Sequence, residues 1–222
     1  MKTPLRDLTA GRVARSEQTP RLPHRVALVN ANPSDSHGAT RLIIDDFAEA
    51  FEVYAHLGAA PGSRVPQLTG FTWNGARAFD LRDLTAFDAV ILGYQLHGDD
   101  LPSHAIELLD AIEETRALRS DSLLYTIADT KHYEPRSIEC SFRLLDGFCE
   151  RNGIRWSGGL AVGASDLIPS IAGSPRMGFL RRRLSEATDK LVLAVRCGTD
   201  AGTIEARCPL PRFVYKFVTG SR

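Results

Sequence analysis

Arg25-Val-Ala-Leu-Val-Asn30 runs directly into Asn32-Pro-Ser-Asp-Ser-His-Gly38, and this junction decides the fold. The first piece is a short, continuous apolar run, the pattern of a strand covered on both faces. The second is a dense loop signal. Behind it, Leu42, Ile43, Phe47, Phe51 and Tyr54 recur near the spacing of one helical face. A buried strand, a polar turn and an amphipathic helix in that order form the start of a βαβ unit with a parallel sheet.

The pattern repeats downstream. Phe87–Gly93 and Ser122–Ala128 read as further buried strands, and 156–163 as a strand with glycines at close approaches. Helices are expected from about Ser103 to Arg119, through Ile138, Phe142, Leu145 and Cys149 to a stop at Gly153, and from Met177 to Val195. Residues 57–80 carry too much Gly, Pro and polar character to assign, beyond a guess at one short strand. Asp80–Phe87 reads as a short helix or turn. The tail 203–218 adds a short strand or extended segment. Residues 1–22 form a polar arm, either packed on the domain or a partner chain or left as a disordered leader. Residues 23–222 then make one α/β domain.

The 222 residues include 27 Lys plus Arg against 27 Asp plus Glu, with 43% hydrophobic and 24% charged. That neutral balance asks for neither nucleic acid nor an anionic membrane. No apolar run approaches the roughly 18 residues that span a bilayer, and the N-terminus lacks a signal-peptide core. Cys140, Cys149, Cys197 and Cys208 form no CxxC pair, so reduced thiols in a cytoplasmic protein are expected. Cys140 and Cys149 read as small buried residues of their helix. No GxSxG elbow is present. His97, Asp99, Asp100 and His104 have metal-ligand chemistry but no diagnostic spacing, and no metal is expected. Arg181–Arg183 reads as the solvated start of the last helix, and Trp73 and Trp156 as core or interface residues.

In doubly wound sheets ligands sit beyond the carboxyl ends of the strands, which directs attention to the loops after Asn30, Gly93 and Ala128. The first offers Asn32, Ser34, Ser36, His37, Gly38 and Thr40 where a helix begins, an arrangement suited to a phosphate or, equally, to a capped turn. It is neither a Walker A loop nor a GxGxxG fingerprint.

Asn30-Ala-Asn-Pro33-Ser34 followed by Ser36-His-Gly-Ala-Thr40 resembles the Asn-Gly-Ser-Pro-Arg turn of the flavodoxin-like NAD(P)H-dependent oxidoreductases, the FMN reductase-like family. Gln95-Leu-His-Gly-Asp-Asp-Leu-Pro-Ser103 is similar to Pro-Leu-Tyr-Val-Asp-Ser-Leu-Pro-Ser in one branch of it. Asp129-Thr-Lys-His-Tyr-Glu134 is similar to Asn-Cys-Gly-Phe-Tyr-Glu in the same branch. Phe148-Cys149, Gly153–Gly163 and Pro209-Leu-Pro-Arg-Phe-Val-Tyr215 extend the likeness. Three substitutions depart from the pattern: Gln95 for proline, His97 for tyrosine and Lys131 for glycine.

The resemblance implies a flavodoxin-like three-layer α/β/α sandwich with a central parallel sheet, a homodimer, and FMN as cofactor with NAD(P)H as reductant. Hydride would pass through the flavin to a small acceptor such as a quinone. It implies ring contacts from Tyr94, Gln95, Leu96 and His97 in one loop, and from Asp129, Thr130, Lys131 and Tyr133 in the other. No acid or base is assigned, although His97 and His132 carry suitable protons. The alternative is a binding or scaffold module that keeps the fold and has lost the flavin.

Overall fold

The computed structural model describes residues 22–32, 38–57, 64–75 and 79–219. Its centre is a six-stranded, all-parallel sheet in the order β2-β1-β3-β4-β5-β6. The strands are β1 (Arg25–Asn30), β2 (Gln67–Thr72), β3 (Ala89–Gln95), β4 (Leu123–Asp129), β5 (Arg155–Val162) and β6 (Thr203–Ala206). The helices are α1 (Ala39–Leu57), α2 (Ser103–Thr115), α3 (Ile138–Asn152), the short α4 (Ile168–Ile171), α5 (Arg182–Cys197) and α6 (Arg212–Thr219). One core layer packs α1 and α5 on the sheet around Ile43, Phe47, Ile91, Tyr125 and Leu191. The other packs α2 and α3 around Val29, Val90, Leu108, Phe142 and Leu145. Strand residues alternate between the two layers, as a sheet covered on both faces requires.

From β1 the chain moves out to β2, then crosses back to β3 on the other side of β1. The strand order therefore reverses between β1 and β3, and it is in the crevice beyond the carboxyl ends at such a switch point that ligands of doubly wound sheets sit.

Several elements differ from the sequence expectation for local reasons. The third strand starts two residues later, because Asp88 is an anchor. Its Oδ2 accepts the backbone N–H of His24 and Arg25 at 2.9 and 3.0 Å, and Arg119 lies 3.3 Å from its Oδ1. Helix α2 stops at Thr115, where Arg116 turns left-handed at φ 49. The last long helix starts at Arg182 rather than Met177. Residues 175–181 instead make two successive turns, with Gly178 N–H on the Pro175 carbonyl and Arg181 N–H on the Gly178 carbonyl. Arg181 is not solvated: its guanidinium reaches the buried Asp46 of α1 at 2.7 Å. Beyond β6 the tail forms the helix α6, and Cys140 is exposed where a buried residue was expected. Cys149 is buried, and burial pushes its thiol up to about 12. Among the described residues no helix is long and apolar enough to cross a membrane.

Asp88 makes an acid-stability prediction. Burial raises its pKa, but the two backbone N–H groups and Arg119 outweigh that and hold it below the usual carboxylate value. A depressed folded pKa stabilises the fold above the unfolded value and loses that contribution as pH falls through the folded one. Asp88→Asn should therefore be less stable than the parent near about pH 7, and the gap should narrow near about pH 3. Urea midpoints at the two pH values check this; a gap that widens in acid contradicts it.

Candidate functional site

The crevice is built from four strand ends, and a buried carboxylate ties them together. Asp129 ends β4 with no solvent exposure. Thr40, in the first turn of α1, donates its hydroxyl to Asp129 Oδ1 at 2.5 Å. Gln95, at the end of β3, donates Nε2 to Asp129 Oδ2 at 2.7 Å and to Ser165 Oγ, beyond β5, at 3.2 Å. A buried carboxylate is tolerated only when its oxygens are hydrogen-bonded, and here the two donors come from two separate segments, the first turn of α1 and the end of β3. Backbone bonds close the same region: Leu96 N–H on the Asp129 carbonyl, Thr130 N–H on that of Val162, and Ser165 N–H on that of Thr130. Ala164 holds a left-handed φ of 56 between them, a conformation that costs a residue with a Cβ about 1–3 kcal/mol.

The outer rim is charged and open. His97 and Asp100 exchange backbone bonds across a tight turn whose Gly98 has φ 67 and open space around it. Asp99 lies 3.6 Å from His132 Nε2, and Lys131 Nζ lies 3.7 Å from Asp166. Both are exposed contacts of the kind that contribute little to stability. Helix α6 docks on this rim. Tyr215 donates to the Lys131 carbonyl at 2.9 Å, Tyr133 donates to the Leu210 carbonyl at 2.7 Å, and the two tyrosine rings lie 5.5 Å apart.

The expected site residues thus divide. Asn32, Gly38, Thr40, Gln95, His97, Asp129, Thr130 and Lys131 come from the ends of β1, β3 and β4 and the start of α1. Asn32 is half-buried, with its N–H on the Asn30 side chain. Ser34, Ser36 and His37 lie outside the described residues. Tyr94 is fully buried in the α2–α3 layer, its hydroxyl 2.9 Å from Ser141 Oγ, and burial pushes its phenol pKa up. Leu96 is 97% buried in the same layer, being only 3% exposed. Neither residue offers a face to a ligand in this arrangement. Residue alternation explains it: Tyr94 and Leu96 point to the α2–α3 face, whereas Gln95 between them turns to the crevice. Tyr133 spends its hydroxyl on the chain leading to α6.

Ser165 belongs to the network and was not expected, because only three strand-end loops were considered. A fourth, after β5, was available to the same topological argument. Trp156 is half-buried and donates to Thr126 Oγ1 at 3.1 Å, and Trp73 is core. His104 faces Glu107 of its own helix at 3.7 Å, apart from His97 and Asp99. Among the described residues no three His, Cys, Asp or Glu side chains gather into a metal-binding group.

A parallel sheet ordered 2-1-3-4-5, extended by β6 and covered by helices on both faces, is the flavodoxin-like fold. Solved structures bear this out. The chain is similar to an FMN-dependent NADH-azoreductase from Bacillus anthracis determined in complex with FMN, at 8% identity and TM-score 0.53, over 78% of this chain and 99% of that one. It is similar to the Trp repressor binding protein from Bacillus subtilis, at 10% identity and TM-score 0.50, over 66% and 94%. At these identities the likeness speaks for the fold. No protein-family model and no curated protein sequence matches the chain.

FMN makes three demands that the described residues can be tested against. Its phosphate needs N–H donors, its ring needs close backbone approach, and its pyrimidine edge needs both donors and acceptors. The first turn of α1 presents N–H groups that have no intrahelical partner. The open turn at Gly98 has no side chain to keep a flat ring away. Gln95 and Lys131 supply an amide and a cation at the rim. These residues fit the group, with one reservation built into the network: the Thr40 hydroxyl proton is already given to Asp129, so Thr40 has only its backbone N–H for an anion.

Proposed function

We propose that this protein binds FMN in the β1/β3 crevice and works as an NAD(P)H-dependent oxidoreductase on a small acceptor such as a quinone. The observation that carries the reading is the convergence of the polar ends of β1, β3 and β4 on the start of α1, at the point where strand order reverses. The phosphate is held by the α1 N-terminus with Asn32, Ser34, Ser36, His37 and Gly38. Gln95, His97, Thr130 and Lys131 face the ring, and the Asp129 carboxylate keeps Gln95 and Thr40 in place. When bound, FMN supplies a two-electron hydride acceptor. The protein's part is to bind and orient it, and the Lys131 ammonium favours negative charge on the ring. The azoreductase named above carries FMN on this fold, which supports the choice of ligand. By the same family resemblance we propose a homodimer in the cytoplasm.

A second reading has its own observation. Thr40 and Gln95 both turn their donors inward to Asp129, and Tyr94 is withdrawn into the core, which favours a binding or scaffold module without catalysis. An absorbance scan after incubation with FMN and desalting, followed by anaerobic addition of NADH or NADPH, separates the two. The oxidoreductase reading expects retained flavin bands that bleach with one of the nucleotides. Bands that persist in both nucleotides contradict the oxidoreductase reading, and a colourless protein leaves the binding or scaffold module that has lost the flavin.

A further inference from the structure

The Gln95 amide is not free to choose which end it shows a ligand. Asp129, its near neighbour at 2.7 Å, is a carboxylate that accepts the Thr40 hydroxyl on its other oxygen. Each Asp129 oxygen thus accepts one hydrogen bond, Oδ1 from Thr40 and Oδ2 from Gln95. Turning Oε1 of Gln95 toward it would set two acceptors together in a buried place, so Nε2 faces inward. Its second proton meets Ser165 Oγ at 3.2 Å. Both amide protons are thereby used, and Oε1 has no protein partner among the described residues. Gln95 is half-buried, so this oxygen belongs to the open side of the crevice.

We propose that Gln95 is a specificity-determining residue locked as an acceptor by Asp129 and Ser165, and that it selects ligands presenting an N–H donor. The inference deepens the FMN reading and rests on it for the identity of that donor, which is the single imide N–H of the isoalloxazine ring. Asp129 and Ser165 act through Gln95 and are positioning residues. An analogue with that N–H methylated leaves Oε1 facing a methyl group. A buried acceptor left without a partner weakens binding by about tenfold or more.

Two measurements on the full-length protein test the inference separately from the FMN reading. In ligand-free protein, ¹⁵N-resolved NMR should find both Gln95 side-chain amide protons slowed in exchange, with that protection lost in Asp129→Asn and weakened in Ser165→Ala. Fast exchange of both protons in the parent overturns the lock, whether or not any flavin binds. In fluorescence titrations the parent should prefer FMN to N3-methyl-FMN by about tenfold or more. Gln95→Leu should bind the two alike, at the weaker affinity. Equal affinities in the parent overturn the donor selection. Protected amide protons with no binding of either flavin would uphold the acceptor lock, refute the imide as its donor, and count against the FMN reading itself.

Discussion

Asp46→Ala should cost the protein about 3–5 kcal/mol, close to a third of the stability of an ordinary domain. Asp46 lies on the face of α1 that meets the segment before α5, with its side chain 3% exposed. Arg176 and Arg181 both hydrogen-bond its Oδ1, and Arg176 also holds Asp189 at 2.8 Å. Arg181 in addition donates to the carbonyls of Ala172 and Ser174 at 2.7 and 3.0 Å. Burial raises the Asp46 pKa against the pull of the two guanidiniums, which marks the charge as expensive to bury. Removing it is worse than keeping it, because the partly buried Arg181 loses this counter-ion while still fixed by backbone contacts, and Arg176 is left with Asp189. Asp45→Ala is the control. That residue is exposed and, among the described residues, pairs with Arg41 one turn back, so its loss should stay within about 0.5 kcal/mol. Denaturant titration of the two variants decides. A loss below about 1 kcal/mol for Asp46→Ala would show that the cluster's desolvation cancels its attraction.

Gly158→Ala should be at least as damaging, at more than about 4 kcal/mol. Gly158 has φ 92, which L side chains rarely adopt, and a Cβ built there falls 2.4 Å from the Gly202 carbonyl oxygen and 2.5 Å from its nitrogen. Those are backbone atoms beside β6, held by the Gly159 N–H on the Gly202 carbonyl at 2.8 Å and the Ala201 N–H on the Ser157 carbonyl at 2.8 Å. They cannot rotate aside as a side chain does, so β5 and β6 must separate. The matched control is Gly70→Ala on the edge strand β2, where a Cβ meets nothing within 4 Å; it should be neutral or slightly stabilising. Thermal melts of both, with soluble yield as a second readout, check the contrast. A Gly158→Ala protein that melts with the parent contradicts the close approach.

Local pattern explains which parts of this fold can be read from residues. β1, β3 and β4 announce themselves because each is buried on both faces and so needs an unbroken apolar run. β2 does not, since Gln67-Leu-Thr-Gly-Phe-Thr72 is an edge strand, exposed or half-exposed throughout. α6 was hidden for another reason. Pro209 and Pro211 precede it and read as loop, and Phe213, Val214, Phe217 and Val218, although helically spaced, belong to a helix of only 8 residues. Tyr215 and the Tyr133–Leu210 contact tie it down, and those are tertiary facts. The site shows the same division. The loops were placed by topology alone, but the role of Asp129 depends on Thr40, 89 positions earlier. Asp46 depends on Arg176, 130 positions later. No spacing rule in one sequence connects such pairs, and Arg181 accordingly looked like a surface charge. Tyr94 was placed at the ring by resemblance, where strand alternation between Tyr94 and Gln95 already argued for the core.

The central claim is a flavin site whose phosphate sits at the start of α1, and a paired titration with FMN and riboflavin tests it most directly. The two differ only by the phosphate. Saturable quenching of FMN fluorescence by the purified protein is expected, with riboflavin bound at least about tenfold more weakly for want of the charge that the helix N-terminus attracts. Equal affinities would remove the phosphate from the α1 N-terminus, and binding of neither would contradict the flavin site altogether.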